Sequence, residues 1–309
     1  MATLAQEPQQ QSCVSFKNIL LATDFSDASE NALRAAVAIA RCHGSKIYLL
    51  HVILPKSDYL IAELPRSRLR RKIQQDMKTL AGRSELQEIA HETVLRVGTV
   101  WSVLSAVIHE QNIDLVVLGT HGRGGIKKLV LGSVAEEVVR KASCPVITVG
   151  PDVDVPSSMV GELHSILFAT DFHPASTKAL AYALLLANEF QAKLILLHLM
   201  PPAASPGPGR IFYHEKAVNE WQAKVRTTIK ERLEKLLPPG ATLRSEPEYV
   251  VGFDFIADGV LKVAAERNAD LIIMGATRTL SAKASSHVPR TVTHEVICHA
   301  KCPVLTVSA

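Results

Sequence analysis

Four blocks of this chain occur twice, in the same order, and that duplication constrains the fold more than any composition figure. Ile19-Leu-Leu-Ala-Thr-Asp-Phe25 returns as Ile166-Leu-Phe-Ala-Thr-Asp-Phe172. Ser45-Lys-Ile-Tyr-Leu-Leu-His-Val52 returns as Ala192-Lys-Leu-Ile-Leu-Leu-His-Leu199. Both pairs are 147 positions apart, from 19 to 166 and from 45 to 192. Ile113-Asp-Leu-Val-Val-Leu-Gly119 then matches Ala269-Asp-Leu-Ile-Ile-Met-Gly275, and Cys144-Pro-Val-Ile-Thr-Val149 matches Cys302-Pro-Val-Leu-Thr-Val307. A unit of about 145 residues has the size of a domain and is far too long for a solenoid repeat. We therefore expect a tail at residues 1–15, a first domain at 16–150, a linker at 151–161 and a second domain at 162–309.

Within each unit, short apolar runs alternate with helical patterns. In the first, Asn18–Thr23, Lys46–Ile53, Glu92–Val97, Leu115–Leu118 and Val146–Val149 read as strands. Asp27–Cys42, Ala62–Arg83, Val100–Gln111 and Ser133–Lys141 read as helices. The second unit repeats the pattern, with a Pro/Gly-rich insert at Pro201–Gly209. Such alternation predicts an α/β fold, two tandem doubly wound, Rossmann-like domains, each a parallel sheet covered by helices on both faces. A ligand crevice is then expected at the carboxyl ends of the strands, where strand order reverses.

Composition removes several classes of function. With 47% hydrophobic and 21% charged residues the chain is neither disordered nor dominated by one charge. Its longest uncharged apolar stretch, around Ala179–Ala187, is too short to cross a bilayer. The Gln-rich start lacks the features of a signal peptide. The basic run from Arg66 to Lys72 has no interleaved aromatics and reads as a solvated helix face, so neither nucleic acid nor membrane is expected as a partner. Five scattered cysteines argue against a disulfide framework and for a reducing, cytoplasmic setting.

The segment most able to bind something is Leu115–Ser133, a buried strand, then Gly119, Gly122, Gly124 and Gly125, and then Gly132-Ser133 at a helix start. Glycines permit close backbone approach to an anion, and a helix start offers unpaired N–H donors. The run is not a Walker A loop, and G-x-G-x-x-G fails at Lys127. What stands is G-x-x-G, nine residues, then Gly-Ser. Ser133-Val-Ala-Glu136 is also a capping box, so Ser133 can serve its own helix. Asp24, directly after the first strand, should face this loop, where it could accept hydrogen bonds from a ribose or a base edge, help to hold a cation, or cap the next helix. Val52 ends the second strand beside the same crevice. His121 has no nucleophile evidently paired with it and is a poor catalytic base.

These residues resemble the universal stress protein family in its tandem form. The resemblance rests on Ala22-Thr-Asp24, His51-Val52, Gly119-x-x-Gly122-x9-Gly132-Ser133 and Cys144-Pro-Val-Ile-Thr-Val149, and covers both halves. It implies five-stranded sheets of order 3-2-1-4-5 and ATP as ligand, with Mg2+ as a candidate companion ion. It implies a nucleotide site made of Ala22, Asp24, Val52, Leu118, Gly119, His121, Gly122, Gly132, Ser133 and Val134, with no catalytic residue and no protein metal site. Pairing through the last strand is also implied, as a homodimer or as an intramolecular pseudo-dimer. The downstream protein partner stays unknown.

The second half departs from the motif. Asp171 matches Asp24 and Gly275 matches Gly119, but Arg278 stands for Gly122 and Arg290-Thr291 for Gly132-Ser133. His294 replaces Glu136, so the capping box is lost. One nucleotide per chain is expected, in the first half. His294, Cys298 and Cys302, with His299 beside them, recur at helical spacing and invite a metal reading, but the spacing is no known finger pattern, so core and surface roles are expected. The function expected is an ATP-binding regulatory or stress-response module. A slow ATPase or nucleotidyl-transfer enzyme, and a nucleotide-free interaction module acting through dimerisation, are the alternatives.

Overall fold

The computed structural model describes residues 16–55, 66–121, 131–153, 163–202, 215–241, 243–276 and 291–308. The first half runs β1 (Asn18–Ala22), α1 (Asp27–His43), β2 (Lys46–Ile53), α2 (Arg66–Ala81), β3 (His91–Val97), α3 (Val100–Glu110), β4 (Leu115–Gly119), α4 (Ser133–Lys141) and β5 (Val146–Val149). The second runs β6 (Ser165–Ala169), α5 (Pro174–Glu189), β7 (Lys193–Met200), α6 (Glu215–Glu234), β8 (Glu248–Phe253), α7 (Ile256–Glu266), β9 (Leu271–Ala276), α8 (Val292–His299) and β10 (Val304–Ser308). All the elements read from the first half are present, with ends shifted by a few residues at most.

The strands form one ten-stranded sheet of order β3-β2-β1-β4-β5-β10-β9-β6-β7-β8. Each half is parallel with order 3-2-1-4-5, as the resemblance implies, and the only antiparallel pair among the described strands is β5 with β10. There Leu305 faces Ile147, and the buried hydroxyls of Thr148 and Thr306 donate to the carbonyls of Val304 and Val146. The two halves thus meet within one chain, edge to edge, through their last strands.

Alternating strand residues feed two apolar layers. Ile19, Leu21, Ile47, Leu49, Leu115 and Val117 pack under α1 and α2. Leu20, Leu50, Val116 and Leu118 pack under α3 and α4. Burial on both faces explains why these strands read as continuous apolar runs. Each such leucine or isoleucine contributes about 1.5–3 kcal/mol by leaving water. Asp114 Oδ2 accepts from the Lys17 and Asn18 N–H groups, both at 2.9 Å, and so ties the start of β1 to the start of β4. Asp270 does the same for His164 and Ser165. The acid in the repeated Asp-Leu block is therefore a tether of the sheet. Among the described residues, no helix is long and apolar enough to cross a membrane.

Candidate functional site

After β1 the chain turns sharply. Phe25 takes a left-handed backbone, φ 62°, a conformation that bulky residues adopt only under outside constraint. The constraint is visible. Phe25 N–H donates to Thr23 Oγ1, and its ring lies 4.8 Å from that of His51, whose Nδ1 is 2.8 Å from the Thr23 carbonyl. The second half rebuilds this turn with Phe172 at φ 62°, Thr170 and His198. The strained turn is scaffold, because both halves carry it.

Asp24 points back into the start of α1. Its Oδ1 accepts from Ser26 N–H at 3.1 Å, lies 2.6 Å from Ser26 Oγ, and is 2.7 Å from Ser29 Oγ. Ser26 is the N-cap of α1, accepting from Ser29 N–H, and its Oγ also lies 3.2 Å from the His121 carbonyl oxygen. The cap is thus Ser26 rather than Asp24, and Asp24 supports it. Asp171 repeats the arrangement with His173 N–H and Ser176 Oγ. Burial opposes ionisation of Asp171, but the Ser176 hydroxyl and the His173 N–H outweigh it and hold the carboxyl below its usual range.

Opposite, β4 ends at Gly119. A Cβ there would lie 2.8 Å from the Ala28 carbonyl carbon, and one on Gly275 would lie 2.4 Å from the Ser176 nitrogen. Both glycines let a helix start cross the sheet closely, a packing role beside the anion-cradle role read from sequence. Thr120, buried, donates its N–H to Val149, and its carbonyl accepts from Gly132 N–H at 2.8 Å. A Cβ on Gly132 would come within 3.0 Å of that carbonyl. Gly132 is the N-cap of α4 and Ser133 its first residue, with no side-chain cap bond. The capping box expected at Ser133 is not formed, because Ser133 has helical geometry and lies one position inside the cap. In the second half Thr291 caps α8 by accepting from His294 N–H, a single cap bond without a glutamate to complete a box.

These elements enclose a cleft of about 230 Å³ at the carboxyl ends of β1, β2 and β4. Nine of the ten residues expected at the site line it: Ala22, Asp24, Val52, Leu118, Gly119, His121, Gly132, Ser133 and Val134. Gly122 lies outside the described residues, as do Arg278 and Arg290. Sequence reading missed Thr120 and the wall from α3, Val100 and Leu104. The signal was present in the i, i+4 spacing of Val100 and Leu104 on a helix that follows the edge strand. One end of the cleft is apolar, walled by Leu50, Val52, Val100, Leu104 and Leu118. The other holds Thr120, His121, Ser133 and the first turn of α4, whose N–H groups lack intrahelical partners. Such a shape suits a ligand with a flat apolar part at one end and an acceptor-rich or anionic group at the other.

A family model described as the universal stress protein family matches residues 15–150 and again 162–308. The chain belongs to the universal stress protein family. Its tandem form is shared in fold with a universal stress protein from Archaeoglobus fulgidus, whose crystal structure aligns with 94% of this chain and 98% of its own at TM-score 0.66 and 19% identity. Single-unit relatives match at higher identity. A universal stress protein of Thermus aquaticus is 36% identical over 136 residues, which is 43% of this chain and 98% of that protein. One from Methanocaldococcus jannaschii is 28% identical over 155 residues, 44% of this chain and 96% of that protein.

The remaining candidates of this tandem universal stress protein lie away from the cleft. His294 Nδ1 and Cys298 Sγ are 3.7 Å apart on α8. Cys302 lies in the turn before β10, its thiol pushed up to about 12 by burial, as is that of its counterpart Cys144.

Proposed function

We propose that the first half binds an adenine nucleotide, ATP, and that occupancy of this site regulates the chain as a stress-response module without appreciable turnover. One observation carries the reading. Apolar walls, Asp24 and the start of α4 meet in a single cleft at the strand carboxyl ends, where doubly wound sheets take their ligands. The base would lie between Val52, Leu104 and Leu118, the ribose hydroxyls beside Asp24, and the phosphates against Gly132, Ser133 and Val134.

A Mg2+ ion accompanying ATP would be held mainly by phosphate oxygens and water, because Asp24 Oδ1 already serves Ser26 and Ser29. We take the domains as 16–150 and 162–309, the second acting as structural partner to the first, in a reducing cytoplasm. Titration with ATP in a calorimeter, with ADP followed in the same sample, tests the reading. One equivalent bound with negligible ADP is the expected result. Multiple turnovers would favour the enzyme alternative, and no binding would favour the interaction module. AMP and cyclic AMP as competitors rank the ligands.

A further inference from the structure

Two histidines line the cleft, and their ring nitrogens are set up in opposite ways. His51 Nδ1 faces the Thr23 carbonyl, which can only accept, so that nitrogen carries the proton. His198 repeats this contact with Thr170 in the second half, which marks it as scaffold. His121 differs. Its Nδ1 lies 2.8 Å from Thr120 Oγ1, and Thr120 is only 1% exposed. Among the described residues, Nδ1 is the acceptor within reach of that buried hydroxyl. If the hydroxyl did not donate to it, its proton would be left unpaired out of water. The Thr120 O–H therefore donates to Nδ1, and the proton of the neutral ring resides on Nε2. That Nε2 is shielded from solvent and, among the described residues, meets no partner. A buried donor without an acceptor is a standing cost that an incoming acceptor removes.

We infer that His121 is a specificity-determining donor, its Nε2–H fixed by Thr120 to receive a phosphoryl oxygen of the ligand. This rests on the nucleotide reading for the ligand, but the proton's position does not. The counterpart of Thr120 in the second half is Ala276, which cannot set a tautomer.

Two measurements test it. Long-range ¹H–¹⁵N spectra of the free full-length protein report the tautomer of each histidine. Nε2–H at His121 is expected, and Nδ1–H there overturns the inference. Thr120→Val should release the ring to a mixture of tautomers. Calorimetry then compares ATP with adenosine. His121→Phe should weaken ATP about tenfold and leave adenosine unchanged, and His121→Gln, which can place an N–H near the same point, should restore most of the loss. Unchanged ATP affinity in His121→Phe, or an equal loss for adenosine, overturns the inference while leaving the nucleotide reading intact. Wild-type protein that binds neither ligand removes the nucleotide reading and the phosphate part of this one, and the spectra still decide the tautomer.

Discussion

Val52 and Leu199 occupy the same place in the two halves, and their surroundings have changed together. Val52 pairs across the ladder with Arg96, and it lines the cleft. Leu199 pairs with Gly252, and its methyl carbons lie 2.8 Å and 2.7 Å from where a Cβ would stand on Gly252 and Gly259. A larger residue on β7 is thus matched by the loss of side chains on β8 and α7. Leu199 takes up space beside β8 and α7 that a side chain on Gly252 or Gly259 would need. The polar end has changed too, since Ala276 replaces Thr120 and His173 replaces Ser26. By contrast Asp24 and Asp171, Phe25 and Phe172, His51 and His198, and Gly119 and Gly275 keep their contacts in both halves. Subtracting one half from the other separates residues that hold the fold from residues that shape the cleft.

The glycines at the ends of β4 and β9 test the shared part most severely. Gly119→Ala and Gly275→Ala should each destabilise the protein by about 3 kcal/mol, the upper range for overpacking, and Gly275 by more, since its added carbon meets backbone at 2.4 Å. Urea unfolding measures both. Gly119→Ala with full stability and lost ATP binding would break the comparison, by making Gly119 a ligand residue alone.

Gly132→Arg copies the second half into the first. It should weaken ATP about a hundredfold, roughly 2.7 kcal/mol, because a side chain would rise beside the Thr120 carbonyl at the start of α4. Calorimetry reads the change, with the thermal midpoint as a control for folding. Wild-type affinity in a folded variant would remove α4 from the site.

Much of this was legible in the chain because the physics is local. The strands are buried on both faces, so they read as apolar runs, and the repeat showed the strand–helix alternation twice, while the strand order came from the family resemblance. Of the residues that line the cleft, Asp24 and Val52 were readable from their places after β1 and at the end of β2, while Ala22 and Leu118 came from the family resemblance. Less legible was what depends on crossing distances. Gly119 reads as a phosphate glycine from sequence, yet its hydrogen faces Ala28, a contact set by the angle of α1 on the sheet. Ser133 reads as a cap by type and spacing, but a cap is defined by backbone angles, and these place it one residue inside the helix. Leu199 looks like a conservative change from Val52 until Gly252 and Gly259 are brought beside it.

That last triad gives a sharper test. Val52→Leu adds the larger side chain without removing Arg96 or Val103, the counterparts of Gly252 and Gly259. The added carbon should enter the cleft and weaken ATP about tenfold, near 1.4 kcal/mol. Adenosine should lose as much as ATP, since the obstruction lies at the apolar end. A loss confined to ATP would put the base elsewhere.

The smallest effect separates the two acids that look most alike. Asp24 and Asp171 both brace a helix start, but only Asp24 borders the cleft described above. Asp24→Asn should weaken ATP, whereas Asp171→Asn should leave affinity and stoichiometry unchanged and alter only stability. The folded carboxyl of Asp171 is held below its ordinary value of 3.8 by Ser176 and His173 against the opposing effect of burial. A depressed folded value means that its contribution is present above about pH 4 and is lost as pH falls through that folded value. Because the side chain is largely exposed, solvent screening limits the contribution to a few tenths of a kcal/mol. The stability gap between wild type and Asp171→Asn should therefore be constant from pH 7 to about pH 5 and shrink as pH falls through the depressed folded value. A gap that widens on acidification would mean that the carboxyl is stabilised in its protonated form, and would separate Asp171 from the bracing role it shares with Asp24.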